Sequence, residues 1–99
     1  MYVIREVVTC RPGKVRPLVD KFRSISTLMR EMDKEPLRLL TDVSGESFWT
    51  IVVEATVEKV DAFFAMEQQI MADDNIRKTM SDYHDLVARG RREIYRIEA

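Results

Sequence analysis

The chain has 99 residues and a formal net charge of −1, from 17 acidic and 16 basic side chains. That size suits a single domain, and the balanced charge argues against a dedicated nucleic-acid binder, which shows a basic excess. No apolar run approaches the ~20 residues that cross a bilayer, and a lone cysteine, Cys10, excludes an internal disulfide and a cysteine-based metal cluster.

Residues 2–10, rich in Val, Ile and Tyr, predict a strand. The period then changes. Val15, Leu18, Val19, Phe22, Ile25, Met29 and Met32 recur at helical spacing and predict a helix over 14–32, with Arg16, Asp20, Lys21, Arg23 and Arg30 opposite. Pro36 marks its end or the gap after it. A second strand is expected over 36–43 (PLRLLTDV), a turn over 44–47 (SGES) and a third strand over 48–57 (FWTIVVEATV), the two strands forming a hairpin. Thr56 is placed to cap the second helical segment. Residues 57–72 and 75–88 predict helix, with a break and restart at 72–75 (ADDN). Gly90 is expected to end the second piece, and 91–98 (RREIYRIE) to form the last strand.

The order β-α-β-β-α-β is that of the ferredoxin-like, split βαβ arrangement: an α+β fold with helices on one face of a four-stranded antiparallel sheet. Trp49, Ile51, Val53 and Ala55 should face the helices, with Trp49 packed near Phe22 or Met29. Phe48, Thr50, Val52 and Glu54 point the other way. On the first strand Tyr2, Ile4, Glu6 and Val8 share one face, and Val3, Arg5, Val7 and Thr9 the other. Each set mixes apolar residues with a charge. The second face is too apolar for an open one, and two sheets packed face to face in a homodimer would cover it.

At the first strand–helix junction, Pro12-Gly13-Lys14 raises the question of a phosphate loop. Such a loop needs several glycines whose amides converge on an anion, and only Gly13 is present, so a turn is expected. Cys10 at the strand end is expected to be packed rather than a reactive thiol. His84 is the only histidine, which excludes a multi-histidine metal site. It falls at the border of a stripe formed by Ile76, Met80, Tyr83, Leu86 and Val87. It is the weak catalytic candidate, as a proton shuttle, and no carboxylate is spaced to orient its ring. Arg89, Arg91 and Arg92 form the only basic cluster, too small to carry nucleic-acid binding.

The stretch YVIREVVTCRPGKVRPLVDKF resembles the opening of dimeric α+β barrel proteins, notably the NIPSNAP-like and antibiotic-biosynthesis-monooxygenase-like families. The closing DDNIRKTMSDYHDLVARGRREIYRIE resembles the NIPSNAP-like ending. The resemblance implies a homodimer whose two sheets build one barrel, and it implies no single activity. Haem-degrading members of this superfamily use an Asn on the first strand with a Trp and a His on the second helical segment. Here the first strand has no Asn, Met80 or Thr79 stands where the ligand His would fall, and Trp49 is on a strand, so haem degradation is not expected.

The function expected is therefore the binding of a small apolar organic molecule in a helix–sheet cleft, with Trp49, Met80, Tyr83 and His84 as candidate lining residues. One alternative is a cofactor-independent monooxygenase-like enzyme acting on a polyketide- or quinol-like substrate. Another is a structural dimerisation module. No cofactor, metal, nucleic acid or membrane is expected as a partner. The start of the chain, with Arg5 and Glu6, lacks the apolar core of a secretory signal, so a cytoplasmic location is expected.

Overall fold

In the computed structural model, which describes residues 1–99, the chain runs β1 (Tyr2–Cys10), α1 (Val15–Glu31), β2 (Arg38–Thr41), β3 (Thr50–Val57), α2 (Val60–Met71), α3 (Asp74–Thr79), α4 (Tyr83–Leu86) and β4 (Val87–Arg96). The four strands form one antiparallel sheet in the order β2-β3-β1-β4. The helices cover one face, so the ferredoxin-like α+β arrangement holds.

The register explains the core. Ile4 and Val8 alternate inward on β1 and pair with Ala55 and Ile51 of β3. Ile4, Val8, Cys10, Ile51 and Val53 are buried beneath Leu18, Val19, Phe22, Ile25 and Met29 of α1. Burying each large apolar side chain contributes roughly 1.5–3 kcal/mol, so this two-layer contact dominates the fold.

Pro12-Gly13 is a turn, as expected. Lys14 N–H donates to Arg11 O at 3.0 Å, and Gly13 has φ +79°. Proline second and a positive-φ glycine third define a type II turn. The first helix ends before Pro36 is reached. Asp33 takes a left-handed φ of 62°, Asp33 N–H donates to Arg30 O at 3.0 Å and Lys34 N–H to Met29 O at 2.8 Å. This pair of bonds is the Schellman closure, usually built on glycine.

Several expected boundaries are corrected. The second strand occupies only Arg38–Thr41 rather than 36–43. Pro36 offers no donor, and Leu37 N–H is taken by Ser26 Oγ at 3.1 Å. The third strand starts at Thr50, not 48, because Trp49 has φ 63° and leaves extended geometry. Thr56 lies within that strand and caps nothing; α2 starts after Lys59 with no side-chain cap. The break at 72–75 is present, and Asp73 Oδ1 accepts from Ile76 N–H at 3.1 Å to start α3. The second helical piece splits again. Lys21 Nζ, read as solvated, reaches Thr79 O at 2.6 Å and Asp82 Oδ1 at 2.6 Å, terminating α3. The last strand begins at Val87, and Gly90 sits inside it opposite Val8.

Candidate functional site

The helix-facing side of the sheet does not fill completely. A cavity of about 80 Å³ remains between β1, β3, α1 and α2. Its floor comes from the inward register of the sheet, through Ile4, Val53 and Ala55. One wall is the α1 stripe, Phe22, Ile25 and Met29. The other is α2, where Phe63, Met66, Ile70 and Met71 recur at helical spacing. A wider depression of about 430 Å³ shares Met29, Ala55, Phe63 and Met66 with the cavity and continues past Lys34, Glu35, Glu58 and Lys59. The shared residues form the partition between the two. Methionine has three rotatable bonds and adapts its shape readily, so this partition is the part of the wall best able to move.

Two ionisable residues line the cavity, Glu6 and Glu67. Glu6 is the one charge on the helix-facing side of β1, and pairs across the sheet with Arg92 of β4. Arg92 Nε bonds Glu6 Oε1. Its Nη2 lies 2.5 Å from Glu67 Oε2 and its Nη1 3.3 Å from Glu67 Oε1. The Arg92 guanidinium also stands 5.4 Å from the ring centre of Phe64 and 5.9 Å from that of Phe63. Burial works against its charge, but the hydrogen bonds to Glu67 and Glu6 outweigh this and hold its pKa above the usual arginine value. The result is an apolar chamber with an anchored ion triad at its rim.

None of Trp49, Met80, Tyr83 and His84 lines this cavity. Trp49 does not pack near Phe22 or Met29; it is 44% exposed and borders a shallow depression with Val15, Thr41, Asp42 and Phe48. The expected placement fails because its backbone leaves the strand at positive φ, so the alternation that aimed it inward stops one residue short. Its carbonyl accepts Cys10 N–H at 2.8 Å, which holds that geometry. Met80 and Tyr83 pack against the core from the α3–α4 end. The Tyr83 ring meets Phe22 edge-on at 6.5 Å and His84 at 5.6 Å. Burial, then the nearby charges of Glu6 and Cys10, push the Tyr83 hydroxyl pKa up. His84 is exposed. Cys10 is 2% exposed, and burial, with the charge of Asp42, raises its thiol pKa; both disfavour the thiolate.

The residues missed by sequence reasoning are Glu6, Glu67 and Arg92 together with Phe63 and Met66. A signal for Glu6 was present: an isolated acid in an otherwise inward-facing set.

The opposite face of the sheet carries a ladder of charge. Arg5 Nε lies 3.0 Å from Glu54 Oε2 and Arg5 Nη1 3.6 Å from Glu93 Oε1. Arg38 approaches Glu54 at 3.8 Å, and Arg91 approaches Glu93 at 3.0 Å. Around it lie Val3, Val7, Leu40 and Val52, and the exposed Tyr95. The β2–β3 loop hangs beside this face and forms with it a depression of about 400 Å³.

No family profile matches the chain, and no curated protein matches it. Solved structures do. A NIPSNAP family protein of unknown function from Agrobacterium tumefaciens superposes with a TM-score of 0.80 at 13% identity, over 97% of this chain and 92% of that one. An uncharacterised NIPSNAP domain protein from Burkholderia xenovorans gives 0.77 at 15% identity, over 100% and 96%. The chain has the NIPSNAP-like and antibiotic-biosynthesis-monooxygenase-like fold. A candidate antibiotic biosynthesis monooxygenase from Nitrosomonas europaea gives 0.73 at 15% identity, with both chains fully covered. These likenesses establish the fold and leave the activity to the site. No helix is long and apolar enough to cross a membrane, and no cluster of three or more His, Cys, Asp or Glu side chains is arranged to hold a metal.

Proposed function

We propose that the protein binds a small, mostly apolar organic molecule in the chamber between sheet and helices, and that two copies pair through their open sheet faces. The observation that carries the first part is the lining itself: of 13 residues, 11 are hydrophobic, in a chain small enough that a wasted void is costly. Ligand sites are apolar concavities with a few placed polar groups, and the ion triad supplies those groups. The chamber, about 80 Å³, is well below the ~300 Å³ of a drug-sized site. Entry of anything larger than a fragment requires Met29, Met66 or Phe63 to swing toward the neighbouring depression.

What supports pairing is the open face. Val3, Val52, Leu40 and Tyr95 gain from leaving water, and each ladder carboxylate is already shared between two arginines, so covering the face strands no carboxylate. A stable pair would bury at least ~1,600 Å².

The test of the ligand reading is titration with toluene-sized apolar probes by calorimetry. Wild-type protein should bind saturably, and Ala55→Leu, which fills the floor, should fold and bind nothing. Failure of the wild type to bind overturns the reading. The monooxygenase reading has less support, because His84 is exposed and hydrogen-bonded to no carboxylate.

A further inference from the structure

The chamber's charge is one-sided. Both ionisable residues in its wall, Glu6 and Glu67, are carboxylates, and no Lys, Arg or His lines it. Arg92 sits outside the lining and answers only one of those two charges, so the rim keeps one negative charge in excess. Glu67 commits both oxygens to Arg92. Glu6 commits only Oε1; its Oε2 accepts no hydrogen bond from the protein and remains open to a donor. Phe63 and Phe64 flank the same spot, at 5.9 and 5.4 Å from the Arg92 guanidinium carbon, so the surroundings already stabilise a cation over aromatic faces.

Three kinds of ligand head can be compared against this rim. A carboxylate would face two carboxylates and would have to displace one of them from Arg92. An alcohol could donate one neutral hydrogen bond to Glu6. An ammonium group donates to the same oxygen, supplies the missing positive charge and makes the stronger, charge-assisted bond. Resting on the reading of the chamber as a ligand site, we infer that it takes a small apolar molecule bearing a cationic amine head. The tail lies against Met29, Met66 and Phe63, and the head sits at Glu6 and Glu67.

The test is calorimetric titration of the whole protein near neutral pH with hexylamine, hexanol and hexanoate, which share a tail and differ in head. The amine should bind about tenfold or more tighter than the alcohol, as a charge-assisted bond exceeds a neutral one, and the acid should bind weakest. Glu6→Gln and Glu67→Gln should each narrow the amine-to-alcohol affinity ratio, measured within the same variant, toward one. Equal binding of amine and alcohol, or tightest binding of the acid, overturns this inference while leaving the chamber a ligand site. Binding of none of the three to the wild type overturns the ligand-site reading and this inference with it.

Discussion

Arg92 of the last strand grips Glu67 of α2 with two nitrogens, at 2.5 and 3.3 Å. The contact ties the helix that walls the chamber to the edge of the sheet. Its third nitrogen holds Glu6 on the central strand. One side chain thus fixes the spacing between β1, β4 and α2.

Arg92→Lys keeps the charge and loses the two-pronged geometry. The three side chains are each about a third exposed, so the cost in stability should be small, about 0.5–1 kcal/mol. The larger effect should be local: amides of Val60–Met71 should exchange faster with solvent while those of β1 and β3 do not change. Uniform acceleration across the molecule would contradict the tether.

Trp49 and Ile51 are two residues apart and should respond very differently. Ile51→Ala removes a fully buried side chain and should cost about 2–5 kcal/mol. Trp49→Ala acts on a half-exposed ring outside the core and should cost about 1 kcal/mol or less. Denaturant titrations of both variants decide the matter, and a large loss at Trp49 would restore the packing that its sequence position suggested.

The element order was legible from the β-branched and aromatic richness of β1 and β3 and from the helical recurrence over α1. The failures come where a tertiary bond overrides a local pattern. Tyr83, Leu86 and Val87 share helical spacing, yet Val87 pairs with Cys10 and opens a strand. Gly90 resembles a helix stop, but a Cβ there would meet Val7 O and Val8 Cγ2 only at 3.7 and 3.9 Å, so nothing in the strand demands glycine. The chamber could not be read at all, since it depends on how far α2 stands off the sheet. Arg92 stood in a short basic cluster, and Glu67 lies 25 residues away in sequence, so no spacing linked the two.

Asp33 occupies the left-handed closure of α1 at φ 62°. A left-handed non-glycine residue costs about 1–2 kcal/mol, against about 0.5–1 kcal/mol for the extra backbone freedom of glycine when unfolded. Asp33→Gly should therefore gain about 0.5 kcal/mol, raising Tm by about 2–4 °C in a domain of this size, measured at equal protein concentration. A fall in Tm would show that the Asp33 side chain contributes something the closure does not require.

Tyr83 gives the protein an alkaline limit. Its pKa is raised by burial first and by the charges of Glu6 and Cys10 after that, so the folded state prefers the neutral phenol. The associated stability is complete below the unfolded value of about 10 and is lost as pH rises through the folded value above it. In an ultraviolet titration Tyr83 should ionise above the ordinary phenol value. Tyr83→Phe should remove that step. Early ionisation of Tyr83 would contradict its placement.

Pairing through the open face predicts a dimer mass by light scattering at micromolar concentration. Val52→Lys, in the middle of that face, should give a folded monomer. A wild-type monomer would sink the proposal.

The six methionines allow the chamber to be tested from inside. Met29, Met66 and Met71 line it, whereas Met1, Met32 and Met80 do not. With the methionine methyls labelled with carbon-13 and assigned by substitution, hexylamine should be titrated into the protein and followed by NMR. Saturable shifts are expected at Met29, Met66 and Met71, with the other three nearly still. Shifts at Met1, Met32 or Met80 without movement of the chamber methyls would place the ligand elsewhere and contradict the chamber site.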